Sequence, residues 1–374
     1  MFSISHFSGS ILSKSLELLN DLKLFKKNRA NVFVFFLRLV FLSTFVSLNA
    51  TALQYQWEVN PQTVLELKNW KGTLVIEEEA RLSQLTLNIE GDSAWNVKQG
   101  SFFSAAALTS LLSSQNSLNG NASSNRSNVL EVSFEKKEEN NAPPLRMILK
   151  GPSVALKLWS DSGQVQVKKW SKSIFASILK GQIDTENTSG SLRLSVQEAK
   201  LNVSRHKASD LRIEAYQAKM QVREVESNVQ IQNFNGSTFL EKIKGPLRLK
   251  MEIGKLEVHE CEGEVNFSSF SAHTLFDRCK GLIQGASTDG PVTVKIAGDP
   301  NLNIESEKAR IRLQNAQGTG ATVNAFIKRG EFSGPSTLHV ARAESGEKKL
   351  TGRLKGSGKG QIKLRTGQGS ITIE

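Results

Sequence analysis

The stretch LRLSVQEAKLNVSRHKASDLRIEAYQAKMQVREVESNVQI, residues 192–231, decides the fold. It holds five apolar pairs, each split by one polar residue: Leu192/Leu194, Leu201/Val203, Leu211/Ile213, Met220/Val222 and Val229/Ile231. The pairs recur at steps of 9, 10, 9 and 9 residues. An in-out-in alternation over three residues is the signature of a half-buried strand and not of a helical stripe. Strands this short, with a corner after each, do not suit the long crossings of a large sandwich.

The pattern runs outward in both directions. Val165/Val167 precedes it, and Leu247/Leu249, Leu256/Val258, Val265/Phe267, Val292/Val294, Leu302/Ile304 and Ile311/Leu313 follow, at nine residues or a near multiple. A third apolar position trails the pairs: Tyr216, Val225, Phe234, Ile243, Cys261, Phe270 and Cys279, all expected to point inward. Glycines such as Gly181, Gly236, Gly245, Gly254 and Gly263 stand just ahead of pairs, where a sharp corner needs a residue free of a Cβ. The expectation is an all-β chain, a β-solenoid resembling a single-stranded β-helix, built from strand–turn repeats of about nine residues. Hairpin meanders also give spacings of about 8–12 residues, but the regular step favours the solenoid. Outward positions carry Lys, Arg, Glu, Gln and Asn, and alternating charge of this kind keeps repeat faces from polymerising.

Residues 53–150 read as a less regular N-terminal β region, with strands at TVLELKNWKGTLVIEE, RLSQLTLNIEG, NVLEVSFEKK and LRMILKG. A Ser/Asn-rich insertion, 101–128, interrupts it, with one short helix expected over Ala105–Leu112. The solenoid proper is expected over 151–374.

Residues 1–52 read as a signal peptide. Lys14, Lys23, Lys26, Lys27 and Arg29 precede the apolar run VFVFFLRLVFLSTFVSL (32–48), and Ala50-Thr51-Ala52 supplies a small-residue cleavage site. The alternative is an uncleaved anchor, but Arg38 leaves only 10 residues of the run after it, short of the ~20 a spanning helix needs. No transmembrane helix is expected after cleavage.

The chain has 374 residues and a formal charge of +12. Without residues 1–52 it keeps 42 basic and 34 acidic residues, a net of +8, so a third of the excess belongs to the targeting segment. Two cysteines exclude a disulfide-dense scaffold and a multi-cysteine zinc protein.

Chemistry is sparse. Carboxylates alternate with Lys and Arg and form no column at the nine-residue step, as hydrolysis or calcium binding on a β-helix would need. No catalytic residue, cofactor site or metal site is assigned: His259 and His273 fall outward while Cys261 and Cys279 fall inward, so they cannot share one ion. GRLKGSGKG (352–360) lacks phosphate-loop spacing. Cys261 and Cys279 lie 18 residues apart. If one coil holds two nine-residue faces, they stack in adjacent coils at about 4.8 Å, within disulfide reach; the alternative is two small core residues. Arg342, Lys348, Lys349, Arg353, Lys355, Lys359, Lys363 and Arg365 form a basic run that could contact an anionic polysaccharide or lipid, or could be a solvated end of the solenoid. Nucleic acid is not expected, since no aromatics are interleaved with that run.

The segments GPSVALKLWSDSGQVQVKKW, TSGSLRLS and RTGQGSITIE carry a resemblance. Gly151-Pro152-Ser153-Val154, then Ser162-Gly163-Gln164-Val165-Gln166-Val167, Ser189-Gly190-Ser191-Leu192-Arg193-Leu194 and Gly369-Ser370-Ile371-Thr372-Ile373 match the repeat of the bacterial putative-adhesin family, itself similar to autotransporter-adhesin-like head domains. The resemblance covers about residues 58–374. It implies a β-solenoid exported to the envelope and offers no catalytic residues. With the signal peptide, the nine-residue repeat and the absence of a catalytic constellation, the expectation is an exported, non-enzymatic β-repeat protein of the envelope, in the periplasm, at the cell surface or secreted, serving as an adhesion, scaffold or interaction module. Its partner would be an envelope protein or an anionic polysaccharide or lipid. The alternatives are a polysaccharide-acting β-helix enzyme and an accessory domain in envelope sensing.

Overall fold

In the inner part of the chain each strand lies beside the one a fixed distance earlier. In a computed structural model, which describes residues 53–90, 95–100, 129–137 and 143–374, strands β8 (Ala155–Lys168), β9 (Ile174–Glu186), β10 (Leu192–Lys244), β11 (Leu247–Glu262) and β12 (Val265–Asp277) stack in parallel. Leu156 pairs with Ile174, Ile174 with Leu192, Val229 with Leu247 and Leu247 with Val265, an offset of 18 residues each time. The offset becomes 19 where Ile283 of β13 (Leu282–Ser287) meets Leu302 of β15 (Asn301–Ser306), and where Val292 of β14 (Val292–Lys295) meets Ile311 of β16 (Ile311–Gln314). The architecture is therefore all-β and solenoid-like, each coil presenting two faces. Face one carries Leu156, Ile174, Leu192, Val229, Leu247 and Val265. Face two carries Val165, Ile183, Leu201, Leu256 and Val292.

The apolar pairs point between the faces and are buried, and Phe267 of face one meets Phe276 of face two with ring centroids 5.0 Å apart. Two gaps in the apolar series have a simple cause: Thr238 and Thr274 take the first pair position, buried and polar, ahead of Leu240 and Phe276. Ile283 keeps its place, but its pair partner is Gly285.

The two corners of a coil differ, and this corrects the reading of the third apolar position. At one corner Lys169, Asn187, Arg205, Glu224, Lys242, Glu260 and Arg278 hold φ of 52–55° in successive coils. That left-handed turn, unusual for non-glycine residues, drops the next side chain inward: Trp170, Thr188, His206, Val225, Ile243 and Cys261 are all buried. Cys279 follows in the same column, half-buried. At the other corner the chain turns more widely. Val196, Asn233, Met251 and Ser269 point in, and the following residues point out, so Tyr216, Phe234 and Phe270 are 56%, 44% and 49% exposed rather than core. Tyr216 and Phe234 stack on each other at 5.0 Å. Small residues close this wide corner. A Cβ on Gly254 (φ +115°) would collide with the carbonyl oxygen of Gly236 one coil below.

Both ends depart from sequence order. At the start, β2 (Val64–Lys68) and β3 (Lys71–Glu78) lie between β8 and the later pair β6 (Val129–Lys136) and β7 (Leu145–Gly151). β4 (Gln84–Glu90) then pairs antiparallel with β7, β1 (Leu53–Glu58) with β4, and β5 (Trp95–Gln99) with β6. At the finish, β21 (Gln361–Thr366) and β22 (Ile371–Ile373) slot between β15/β16 and the earlier β17 (Thr322–Ile327) and β18 (Phe332–Ser333). β20 (Lys348–Arg353) and β19 (Leu338–Arg342) extend β17 antiparallel. Antiparallel caps of this kind cover strand edges that would otherwise template further pairing.

The expected signal peptide of 1–52 and the 101–128 insertion with its helix lie outside the described residues. Among the described residues no helix is long and apolar enough to cross a membrane.

Candidate functional site

The outward positions of face one form two registered rows. Gln230, Arg248, Asn266, Gln284, Asn303 and Lys363 follow one another across six strands, and beside them run Gln232, Lys250, Ser268, Ala286, Glu305 and Arg365. Parallel pairing in fixed register places each residue about 4.8 Å from the next. Between the rows lies an open groove of about 510 Å³, lined by residues from Gln230 to Glu305. A second hollow of about 310 Å³ shares Ala286 and Glu305 with it and continues to Arg365.

Polar contacts in the groove are few and local. The Gln284 amide donates to Asn266 Oδ1 at 2.7 Å and to Glu264 Oε1 at 3.0 Å, and Asn266 Nδ2 donates to the same Glu264 oxygen at 2.9 Å. Lys250 pairs with Glu252 at 3.1 Å. On face two and at the corners several charges pair along the columns. Arg223 meets Glu241 at 3.2 Å, His259 meets Asp277 at 3.2 Å, Arg278 meets Glu260 at 3.1 Å and Arg205 contacts Glu186. Such exposed pairs contribute little stability individually.

The eight basic residues singled out from the sequence do not act as one patch. Lys363 and Arg365 belong to the groove rows, and strand register carries the line from Arg365 across Phe326 to Lys349. The Arg365 guanidinium lies 5.7 Å from the Phe326 ring centre. Arg353 shares that outer side, but its guanidinium donates to the carbonyls of Gly320 and Gly358, both at 2.9 Å. Arg342 and Lys348 pair with each other on the opposite side, where Lys348 donates to Gly330 O at 2.6 Å. Lys355 and Lys359 are exposed between β20 and β21. None of the eight forms an ion pair among the described residues.

Cys261 and Cys279 occupy successive places in the inward corner column, with Cα atoms 4.4 Å apart and their sulfurs in bonding contact. His259 and His273 point outward, and among the described residues no three His, Cys, Asp or Glu side chains converge as a metal site would require. Among the described residues His206 is the one histidine in the interior. Its Nδ1 lies 2.8 Å from Thr188 Oγ1, and its Nε2 has no partner among the described residues. Burial holds its pKa below the ordinary 6.5, against a weaker opposite pull from Asp210.

Sequence inspection did not single out the amide row, because it follows an 18-residue step on the outward phase while the apolar pairs draw attention to the inward one. Aligning Gln230, Arg248, Asn266 and Gln284 at that step reveals it.

The profile of one protein family, Toastrack DUF4097, matches residues 66–374. Two solved structures are similar: a putative cell adhesion protein from Clostridium sporogenes, 11% identical, covering 86% of this chain and 99% of its own, with a TM-score of 0.17; and a putative adhesin from Bacteroides fragilis, 10% identical, covering 87% and 97%, with a TM-score of 0.29. No curated protein matches the chain.

Proposed function

The chain belongs to the Toastrack DUF4097 family, and from that footing we propose that it is an exported, non-enzymatic β-repeat protein of the bacterial envelope, working as an adhesion, scaffold or interaction module. One observation carries this reading: registered coils, each taken as two nine-residue strand–turn units, hold rows of outward side chains at a fixed spacing on a rigid support. A rack of this sort displays many weak contacts at once, which suits holding an extended partner better than activating a single bond. The face-two carboxylates Glu241 and Asp277 are engaged by Arg223 and His259, whereas glycoside hydrolysis needs two free carboxylates flanking a bond. The targeting segment supports export, and export supports oxidation of Cys261 and Cys279 to a disulfide between coils.

Cell fractionation with protease shaving, joined to mass spectrometry of the mature amino terminus, tests the reading. The expected result is a chain beginning at Leu53 and recovered outside the cytoplasm. Retention in the cytoplasm with residues 1–52 intact would overturn it, and so would shortening of an envelope polysaccharide by the purified protein.

A further inference from the structure

We infer that the face-one groove is a binding site for an extended glycan chain bearing carboxylates, held by the amide row and gripped at its two ends by basic pairs. The inference rests on the reading of the protein as an interaction module and names the chemical class its surface takes.

Three features point to this ligand. First, the groove is donor-rich and partly unspent: the side chains of Gln230, Arg248, Asn303 and Lys363 make no hydrogen bond or ion pair among the described residues. Amides both donate and accept, so a row of them suits hydroxyl groups, which do the same. Second, the cations are placed towards the ends. Arg248 and Lys250, the latter paired with Glu252, stand one strand in from the Gln230 end, and Lys363 and Arg365 at the other end, four strand steps or roughly 19 Å away. Among the described residues of the groove Glu305 and Glu264 have no cation partner; Glu264 is engaged by two amides, and Glu252 is paired with Lys250. Arginine there can bind a carboxylate through two parallel hydrogen bonds. Third, the groove is open and crosses five successive strands, so a polymer can lie in it without an end entering a pocket. The strand spacing is close to the advance of one sugar in an extended chain, which lets successive residues meet equivalent side chains. A lipid surface fits poorly, since the basic groups flank a recessed channel and the exposed aromatics of Tyr216 and Phe234 lie at a corner outside it.

The test uses the full mature chain and three probes: an alginate hexasaccharide, a neutral cellohexaose and vesicles containing phosphatidylglycerol. Calorimetric titration is expected to show binding of the hexauronate that weakens as salt is raised, and binding to cellohexaose at least tenfold weaker. Asn266→Ala with Gln284→Ala should weaken hexauronate binding by about fivefold or more, and Arg248→Ala with Arg365→Ala by at least tenfold, as expected for lost charge-assisted contacts. Lys295→Ala with Arg312→Ala, on face two, should leave it unchanged. All six side chains are outward-facing, so circular dichroism melts should match the parent. No binding of the hexauronate, equal loss in the face-two variant, or vesicle binding that survives the amide substitutions while hexauronate binding does not occur would overturn the inference. The first of these leaves export and envelope location untouched, so failure of the site is distinguishable from failure of the functional reading.

Discussion

Joining Cys261 to Cys279 ties two adjacent coils at their inward corner, and the strength of that tie is open to calculation. The two residues are 18 apart in sequence. Closing a loop of that length in the unfolded chain removes entropy worth about 3 kcal/mol at 25 °C, when disulfide stabilisation is assigned to the unfolded state. The perturbation that isolates the cross-link is Cys261→Val with Cys279→Val. The same column already holds Val225 and Ile243 in the two preceding coils, so valine fits the site and only the covalent tie is lost. Guanidinium unfolding of the mature chain should show the oxidised parent about 3 kcal/mol more stable than the double variant. Adding a reductant should bring the parent down to the variant and leave the variant unmoved. If coils unfold in groups, the loss is confined to the group around residues 247–281, and hydrogen exchange there shows it directly. Two titratable thiols in the native protein isolated from the envelope would refute the reasoning, as would a parent indifferent to reductant.

The two corners give opposite mutational behaviour. Ile243→Ala should cost about 2–5 kcal/mol by opening a cavity, whereas Phe234→Ala, one corner earlier and exposed, should stay within about 1 kcal/mol; thermal melts of the two variants compare them, and equal losses would contradict the corner assignment. His206 is held neutral, its pKa depressed in the folded state, so stability should be full above pH 6.5 and fall as pH drops from there towards the folded-state pKa. The slope is at most about 1.4 kcal/mol per pH unit; His206→Val should flatten it in denaturant titrations at pH 7.5 and 5.5, and an unchanged slope would assign the effect elsewhere. Deleting residues 361–374 removes strands paired on both sides. Limited proteolysis should then cut throughout 319–360 as well, while a clean loss of one terminal coil would contradict the inserted order.

The repeat was legible because inward side chains must be apolar, and Leu192, Leu201, Leu211 and Met220 announce it at each strand. The same logic located the cysteines one above the other. It failed at the third position, where Tyr216 and Ile243 look alike in a sequence but sit on corners of opposite sense. That difference comes from the left-handed residues, and Lys242 or Arg278 has no compositional mark of a positive φ. It also missed the groove, since an outward Gln or Asn carries no burial constraint and reads as ordinary solvated surface until register lines it up with others.

The amino-acid sequence by itself determined that the chain is a β-repeat with its apolar residues turned inward, because the hydrophobic effect acts on each strand locally and repeats with it. Only the tertiary structure decided which strands are neighbours at the two ends, where β2–β3 and β21–β22 are enclosed by strands that are not adjacent to them in sequence order. Strand pairing there is settled by hydrogen bonds between backbones distant along the chain, and a backbone amide is the same in every residue but proline. The basic residues near the carboxyl terminus show the result most plainly. They fall within one stretch, 342–365, yet the strand arrangement sends Lys363 and Arg365 to the groove and Lys348 to the far side.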